Sequence, residues 1–263
     1  MGENYIRPKC GCSKEPVDYI PTDRIIGKLD SLFARNDMSG AGRLLKYWEN
    51  EARALGDNKG LIEILNEEIG YYRRTKDRDR ALNSVYEAFD LIKEMYEEEN
   101  ISAGTVFLNG ATTLKAFGRL DESLPYYEKA GKIFEDLLSE DDYRMAAYYN
   151  NAAAAYEEAG KTEKAAGYYI KAIGILQKKG DSHADAAVSF VNLAHLYYRS
   201  DPTDGKIYEC MDKAYDAIVS EAAVRDGELA FTISKCIDAF EFFGYFALEK
   251  ELRLIMENIY EGT

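Results

Sequence analysis

Cysteine, histidine, proline and positive charge are all scarce in this sequence, and each scarcity removes a class of explanation. Four cysteines in 263 residues, at Cys10, Cys12, Cys210 and Cys236, are too few and too scattered for a disulfide-stapled scaffold. Cys10-Gly11-Cys12 offers two thiolates, yet no second pair and neither histidine (His183 and His195) completes four ligands. The pair reads as free thiols in a tail, and Cys210 and Cys236, on apolar faces, read as small core residues. No metal or cofactor is implied. With two histidines no nucleophilic triad can be assembled. No phosphate-binding glycine loop, nucleophile elbow or zinc-protease motif is present either. The carboxylate pair Glu67 and Glu68 suggests nothing beyond a groove lining, so the chain is not expected to be an enzyme.

No apolar run approaches the roughly 20 residues that span a bilayer, and the start MGENYIRPKCGCSKEP lacks a signal-peptide core. Residue 6 is isoleucine where a myristoylation motif wants serine or threonine. A cytoplasmic location without a membrane partner is therefore expected. Lys and Arg number 33 against 47 Asp and Glu, a formal charge of −14. Such a field repels phosphates, which argues against a nucleic-acid partner and favours a basic or neutral one. The single basic cluster, RRTKDRDR at residues 73–80, is interleaved with Asp77 and Asp79 and reads as a solvated turn.

What the chain does have is a repeat. At a shift of 42 residues, Ala88, Ala130, Ala172 and Ala214 fall into one column. Tyr72, Leu114, Tyr156, Tyr198 and Phe240 form a second, and Ala81, Ser123 and Ala165 a third. Gly118 and Gly160 are one period apart, and Gly244 follows two periods later. Each unit splits into two amphipathic segments. Tyr149, Ala152, Ala153 and Tyr156 follow the i, i+3, i+4, i+7 rule of one helical face. Gly160 then ends that helix in a left-handed cap, and Thr162 is a plausible N-cap for the next. After Gly118, Asp121 reads as the cap, with Pro125 in the first turns, where proline is tolerated. Alanine at these facing positions lets helices approach to roughly 8 Å while the tyrosines fill the space between pairs.

The run Tyr156, Gly160, Ala165, Tyr169, Ala172 resembles the tetratricopeptide repeat. The 42-residue period, the asparagine before two small residues and Leu124-Pro125-Tyr126-Tyr127 resemble its longer, kinesin-light-chain-like variety. The resemblance is strongest over 60–216 and fades between 21 and 57. It implies an all-α fold, a right-handed α-solenoid of about six antiparallel helix pairs in a tetratricopeptide-like superhelix. Helices are expected near 22–35 and 38–55, 58–76 and 78–98, 101–118 and 121–139. They continue near 142–159 and 162–178, 182–200 and 204–221, 226–243 and 246–260. The last, with Leu248, Leu252, Ile255 and Ile259 on one stripe, reads as a polar-faced cap. Residues 1–20 carry no periodicity and are expected to form a loose tail before a repeat domain at 21–263.

Asn151 stands one residue before the Ala152/Ala153 packing pair, and Asn109 stands one period earlier. One period later the strict register gives Leu193. An extra residue in the 200–205 turn would instead bring Asn192 into line, with Tyr197 in place of Tyr198. In the last unit the slot is Lys235. Resemblance to the family implies that asparagine here holds the backbone of an extended peptide along the concave face, since one amide both donates and accepts. Thr112, Lys115, Asn150, His195 and Arg199 complete the expected groove, where Arg199 and Lys235 would meet a ligand carboxylate. The blander alternative is that the asparagines bridge neighbouring helices or hold water. The expected function is a peptide- or protein-binding scaffold or adaptor; the alternative is a sensor that changes shape on a signalling peptide and regulates a second protein. The oligomeric state is left open.

Overall fold

Twelve α-helices and no strand are found among the described residues of the computed structural model, which are 19–95, 99–178, 184–221 and 223–261. In chain order they are α1 Thr22–Ala34, α2 Met38–Leu55, α3 Asn58–Arg74, α4 Arg78–Glu94, α5 Ile101–Ala116 and α6 Leu120–Leu137. They continue with α7 Tyr143–Glu158, α8 Thr162–Lys178, α9 Ala186–Ser200, α10 Lys206–Val219, α11 Gly227–Phe242 and α12 Phe246–Glu261. Consecutive helices pack as pairs, α3 on α4, α7 on α8, α9 on α10 and α11 on α12, and first members also pack on one another within each unit, α1 on α3, α3 on α5, α7 on α9 and α9 on α11. The chain divides into two compact units, the first ending at Ala130 and the second beginning at Gly131, so the division falls within α6.

The columns of the repeat are the core. Ala88, Ala130, Ala172 and Ala214 are fully buried, as are Ala81, Ser123 and Ala165. Leu114, Tyr156 and Phe240 are at most 1% exposed, and Tyr127 and Tyr169 are equally enclosed. Small residues bring backbones together and one large ring per pair fills what remains, which is how a thin helix such as α7 reaches interior packing density. Gly110 on α5 shows how tight this becomes: a Cβ there would lie 2.4 Å from the Phe89 ring of α4.

Several first helices end by one device. Gly118, Gly160 and Gly244 all have positive φ, at 77°, 72° and 83°. After α7 the Gly160 N–H donates to Glu157 O at 2.9 Å and the Lys161 N–H to Tyr156 O at 2.8 Å. This is the paired 5→2 and 6→1 closure of a Schellman motif. It feeds the chain straight into the next helix. Thr162 and Asp121, expected as N-caps, therefore lie inside the first turns of α8 and α6. Side-chain caps sit elsewhere, at Asp37, Asp57, Asp77, Asn100, Asp142 and Asp226. In the first unit the glycine column is broken by Lys76, which adopts φ 60° without glycine's freedom.

The register changes once. The buried stripe of α9, Ala186, Ala187, Ser189, Phe190, Leu193 and Ala194, follows that of α7, Met145, Ala146, Tyr148, Tyr149, Ala152 and Ala153, at 41 residues rather than 42. The turn at 201–205 returns the residue, so that Ala214 keeps its place. Asn192 is thus in line with Asn151, and Tyr198 is 36% exposed instead of filling the core position of its column.

Candidate functional site

In the first unit, α3 and α5 face each other through a pair of asparagines. Asn109 Nδ2 donates to Asn66 Oδ1 at 2.9 Å, and both residues are half-buried. Asn66 in turn donates to Glu67 at 3.3 Å. Burial raises the pKa of the Glu67 carboxyl, and the nearby Asp30 and Glu63 raise it further. Two turns beyond Asn66, the Arg73 guanidinium donates to Thr113 Oγ1 at 3.0 Å and to Asn109 O at 3.4 Å. Burial and the neighbouring Arg74 cation lower its pKa. One face of the unit thus carries an amide pair between a carboxylate and a guanidinium, on rigid helices.

In the second unit the same contact recurs between α7 and α9. Asn192 Nδ2 donates to Asn150 Oδ1 at 3.4 Å, and Ser189 Oγ donates to the same oxygen at 3.1 Å. Both pairs obey one rule. The asparagine in the repeat column reaches the residue one place before that column on the preceding helix. Asn151 departs from it, because its Nδ2 bonds Ala147 O of its own helix at 2.8 Å. The residue at the Asn66 and Asn150 position of the repeat before it is Leu108, which offers no acceptor.

The remaining expected groove residues separate. Thr112 turns towards the second helix of its own pair, donating to Leu108 O at 2.8 Å and accepting from Tyr127 Oη at 3.1 Å. Lys115 is half-buried in the last turn of α5. His195 lies against the rings of Phe242 and Phe243, with centroids 5.4 Å and 4.9 Å away. Burial and the Arg199 cation lower its pKa. Arg199 is exposed and pairs with Glu157. Lys235 is exposed and lies over the Phe231 ring at 4.1 Å.

Sequence reasoning missed Asn66, because it is 43 residues from Asn109 and so one place off the column. It also assigned Arg73 to a solvated turn, whereas Arg73 belongs to α3 and is folded inward. Its place seven residues after Asn66, two turns along one face, was the available signal. Glu68, read with Glu67 as groove lining, is instead buried against α4, since consecutive residues point about 100° apart on a helix. Cys210 and Cys236 are buried, and burial lifts their thiol pKa values to about 11 and about 12. Cys10, Cys12 and His183 lie outside the described residues. Among the described residues no cluster of His, Cys, Asp or Glu could hold a metal ion, and no helix is long and apolar enough to cross a membrane.

Comparison with known proteins agrees with this architecture. Residues 103–178 match the family model of the tetratricopeptide repeat. No curated protein matches the sequence. Among solved structures, the kinesin light chain nearly identical TPR-like repeats of Podosopora anserina superpose with a TM-score of 0.54 at 16% identity, covering 74% of this chain and 93% of that one. BtubC (BKLC) from P. vanneervenii gives 0.52 at 20% identity over 92% of each chain. A Rap protein complexed with Competence and Sporulation Factor gives 0.57 at 15% identity, covering 89% of this chain and 73% of that one. Residues 103–178 thus carry tetratricopeptide repeats by sequence, and the helix pairs on either side share the fold of these solved structures.

Proposed function

We propose that this protein is a binding scaffold that holds an extended peptide segment against the first helices of its pairs, without catalysis. The observation that carries the reading is the repeated asparagine contact, Asn66 with Asn109 and Asn150 with Asn192. Each contact uses one N–H of the donating amide. Among the described residues the second N–H and the Oδ1 of Asn109 and Asn192 make no further hydrogen bond, which leaves them for a guest, and the residues are half-exposed. An amide fixed by its neighbour is pre-oriented, so little side-chain entropy is lost when it grips a peptide group. Asparagine matches the backbone and leaves sequence choice to flanking groups. In the first unit those flanking groups are Glu67 with Asp30 and Glu63 on one side and Arg73 on the other. They suit a segment with a basic residue towards the acids and a carboxylate or carbonyl towards the guanidinium. The overall charge of −14 would hasten the approach of a basic segment.

A panel of fluorescent twelve-residue peptides, half of them basic, tests the reading by anisotropy. The expected result is preferential binding of basic members, weakened by about 1–3 kcal/mol in the Asn109→Ala/Asn192→Ala variant. Equal affinity of the variant for every peptide would sink it.

A second reading follows from the likeness to the Rap protein in complex with its factor, which on this chain would mean a sensor that closes on a peptide. Solution scattering separates the two: a fall in radius of gyration on adding the tightest peptide favours the sensor, and an unchanged profile favours the scaffold.

A further inference from the structure

Within the first unit, α2, α3 and α4 border an open cavity of about 460 Å³ whose polar lining includes Lys46, Glu49, Glu68, Tyr72, Arg80 and Ser84. Glu68 is 3% exposed. Its Oε2 accepts from Ser84 Oγ at 3.0 Å, while its buried Oε1 has no partner among the described residues. The neighbouring cations are already engaged. Lys46 Nζ meets Glu49 at 2.7 Å, and Arg53 meets Glu49 at 2.9 Å and Glu87 at 2.5 Å. Arg80 meets Asp77 at 3.5 Å and lies over the Tyr72 ring at 5.7 Å. A buried carboxylate without its full set of donors is costly, and a fold retains one only against a compensating contact.

The repeat itself shows that the fold does not require this group. In register with Glu68 stand Gly110, Ala152, Leu193 and Cys236, all apolar and buried. In register with Ser84 stand Tyr126 and Tyr168, which pack in aromatic clusters with Phe89 and Phe107 and with Tyr148, Tyr149 and Tyr156 respectively. The first unit has exchanged a ring for a hydroxyl, which opens volume, and an apolar residue for a carboxyl, which puts one bare acceptor, itself shielded from solvent, in the wall of that volume. Two departures sixteen residues apart converge on one cavity.

From this geometry we infer that the cavity between α2, α3 and α4 is a receptor for a cationic nitrogen group, an ammonium or guanidinium, whose N–H donates to Glu68 Oε1. The pocket lies about 200° around α3 from Asn66, so it is separate from the asparagine face and does not rest on the peptide reading made there. Lys46, Glu49 and Arg53 of α2, Tyr72 of α3, and Arg80 and Glu87 of α4 are the charged and titratable groups around it. Glu49 and Glu87 are matched by Lys46 and Arg53, which leaves Glu68 as the acid a guest would neutralise. Burial, and then the Glu49 charge, raise its pKa to about 7, so a cation should bind with loss of the Glu68 proton.

Calorimetry with Nα-acetylarginine amide and Nα-acetyllysine amide tests the proposal, with Nα-acetylcitrulline amide as the uncharged isostere and putrescine to separate a free amine from a side chain. At least one cationic probe should bind with millimolar or better affinity, citrulline should not, and affinity should fall at least about tenfold from pH 8 to pH 5 as Glu68 protonates. Preference for putrescine would assign the cation to a small amine, and preference for an acetylated amide to a side chain; either supports the receptor. Glu68→Gln should abolish binding. Glu68→Ala/Ser84→Tyr, which restores the pairing seen at Ala152 and Tyr168, should fold by circular dichroism and also fail to bind. Absence of binding by every cation at about 10 mM, equal binding of citrulline, or binding retained by either variant would overturn the inference.

Discussion

Glu68 governs the chemistry of the first unit at the scale of single residues. Its folded pKa of about 7 lies above its ordinary value of 4.5, so the native state holds a proton that the unfolded chain releases. Its contribution to stability is therefore largest below about pH 4.5 and is lost as pH rises towards 7, by about 3 kcal/mol over the window. Glu68→Gln, neutral throughout, should be more stable than the parent at pH 8 by about 1–3 kcal/mol and close to it at pH 4.5. Urea melts at the two pH values read this directly, and a variant equally destabilised at both would contradict it. Gly110 makes the opposite point. With Phe89 where a Cβ would go, Gly110→Ala should lower stability by about 1–3 kcal/mol through overpacking. The same change at Gly70, where nothing crowds a Cβ, should be neutral or stabilising in the same melts.

Among elements, the link from first helix to partner is a left-handed residue closing a Schellman motif in every described pair but α9 and α10, where Asp201 is extended. Lys76 occupies that place after α3 at φ 60°. Asp77 N–H still donates to Tyr72 O at 2.9 Å, so the closure forms at the expense of backbone strain. Lys76→Gly should raise the unfolding free energy by about 1 kcal/mol, measured by chemical denaturation, with no change in helix content. This level was also the most legible in the sequence. The Ala88 and Ala81 columns located helices because a close approach of backbones demands a small residue wherever it recurs. Side-chain reach was not legible. A periodic pattern fixes where a Cβ points, and Asn66, Arg73 and Glu68 act through atoms several bonds further on. The slip of α9 was readable only as an alternative, since either Tyr197 or Tyr198 satisfies the pattern until burial decides. Thr162 and Asp121 resemble caps by composition, but the glycine closure ahead of them had already turned the chain.

For the molecule as a whole, the account is of a repeated chassis with local departures that supply chemistry. The repeat provides tightly packed helices in both units, and the asparagine contact recurs in each. If that contact is the gripping element, the two amides within each unit should respond together to a guest. The direct measurement is a nitrogen–proton NMR titration of the full chain with the tightest basic peptide, following the side-chain amides of Asn66, Asn109, Asn150 and Asn192. The account predicts saturable shifts at these amides, with Asn66, Asn109 and the Arg73 guanidinium sharing one dissociation constant and Asn150 and Asn192 sharing one. Shifts confined to the second helices of the pairs or to α12, with the four amides unmoved, would contradict it.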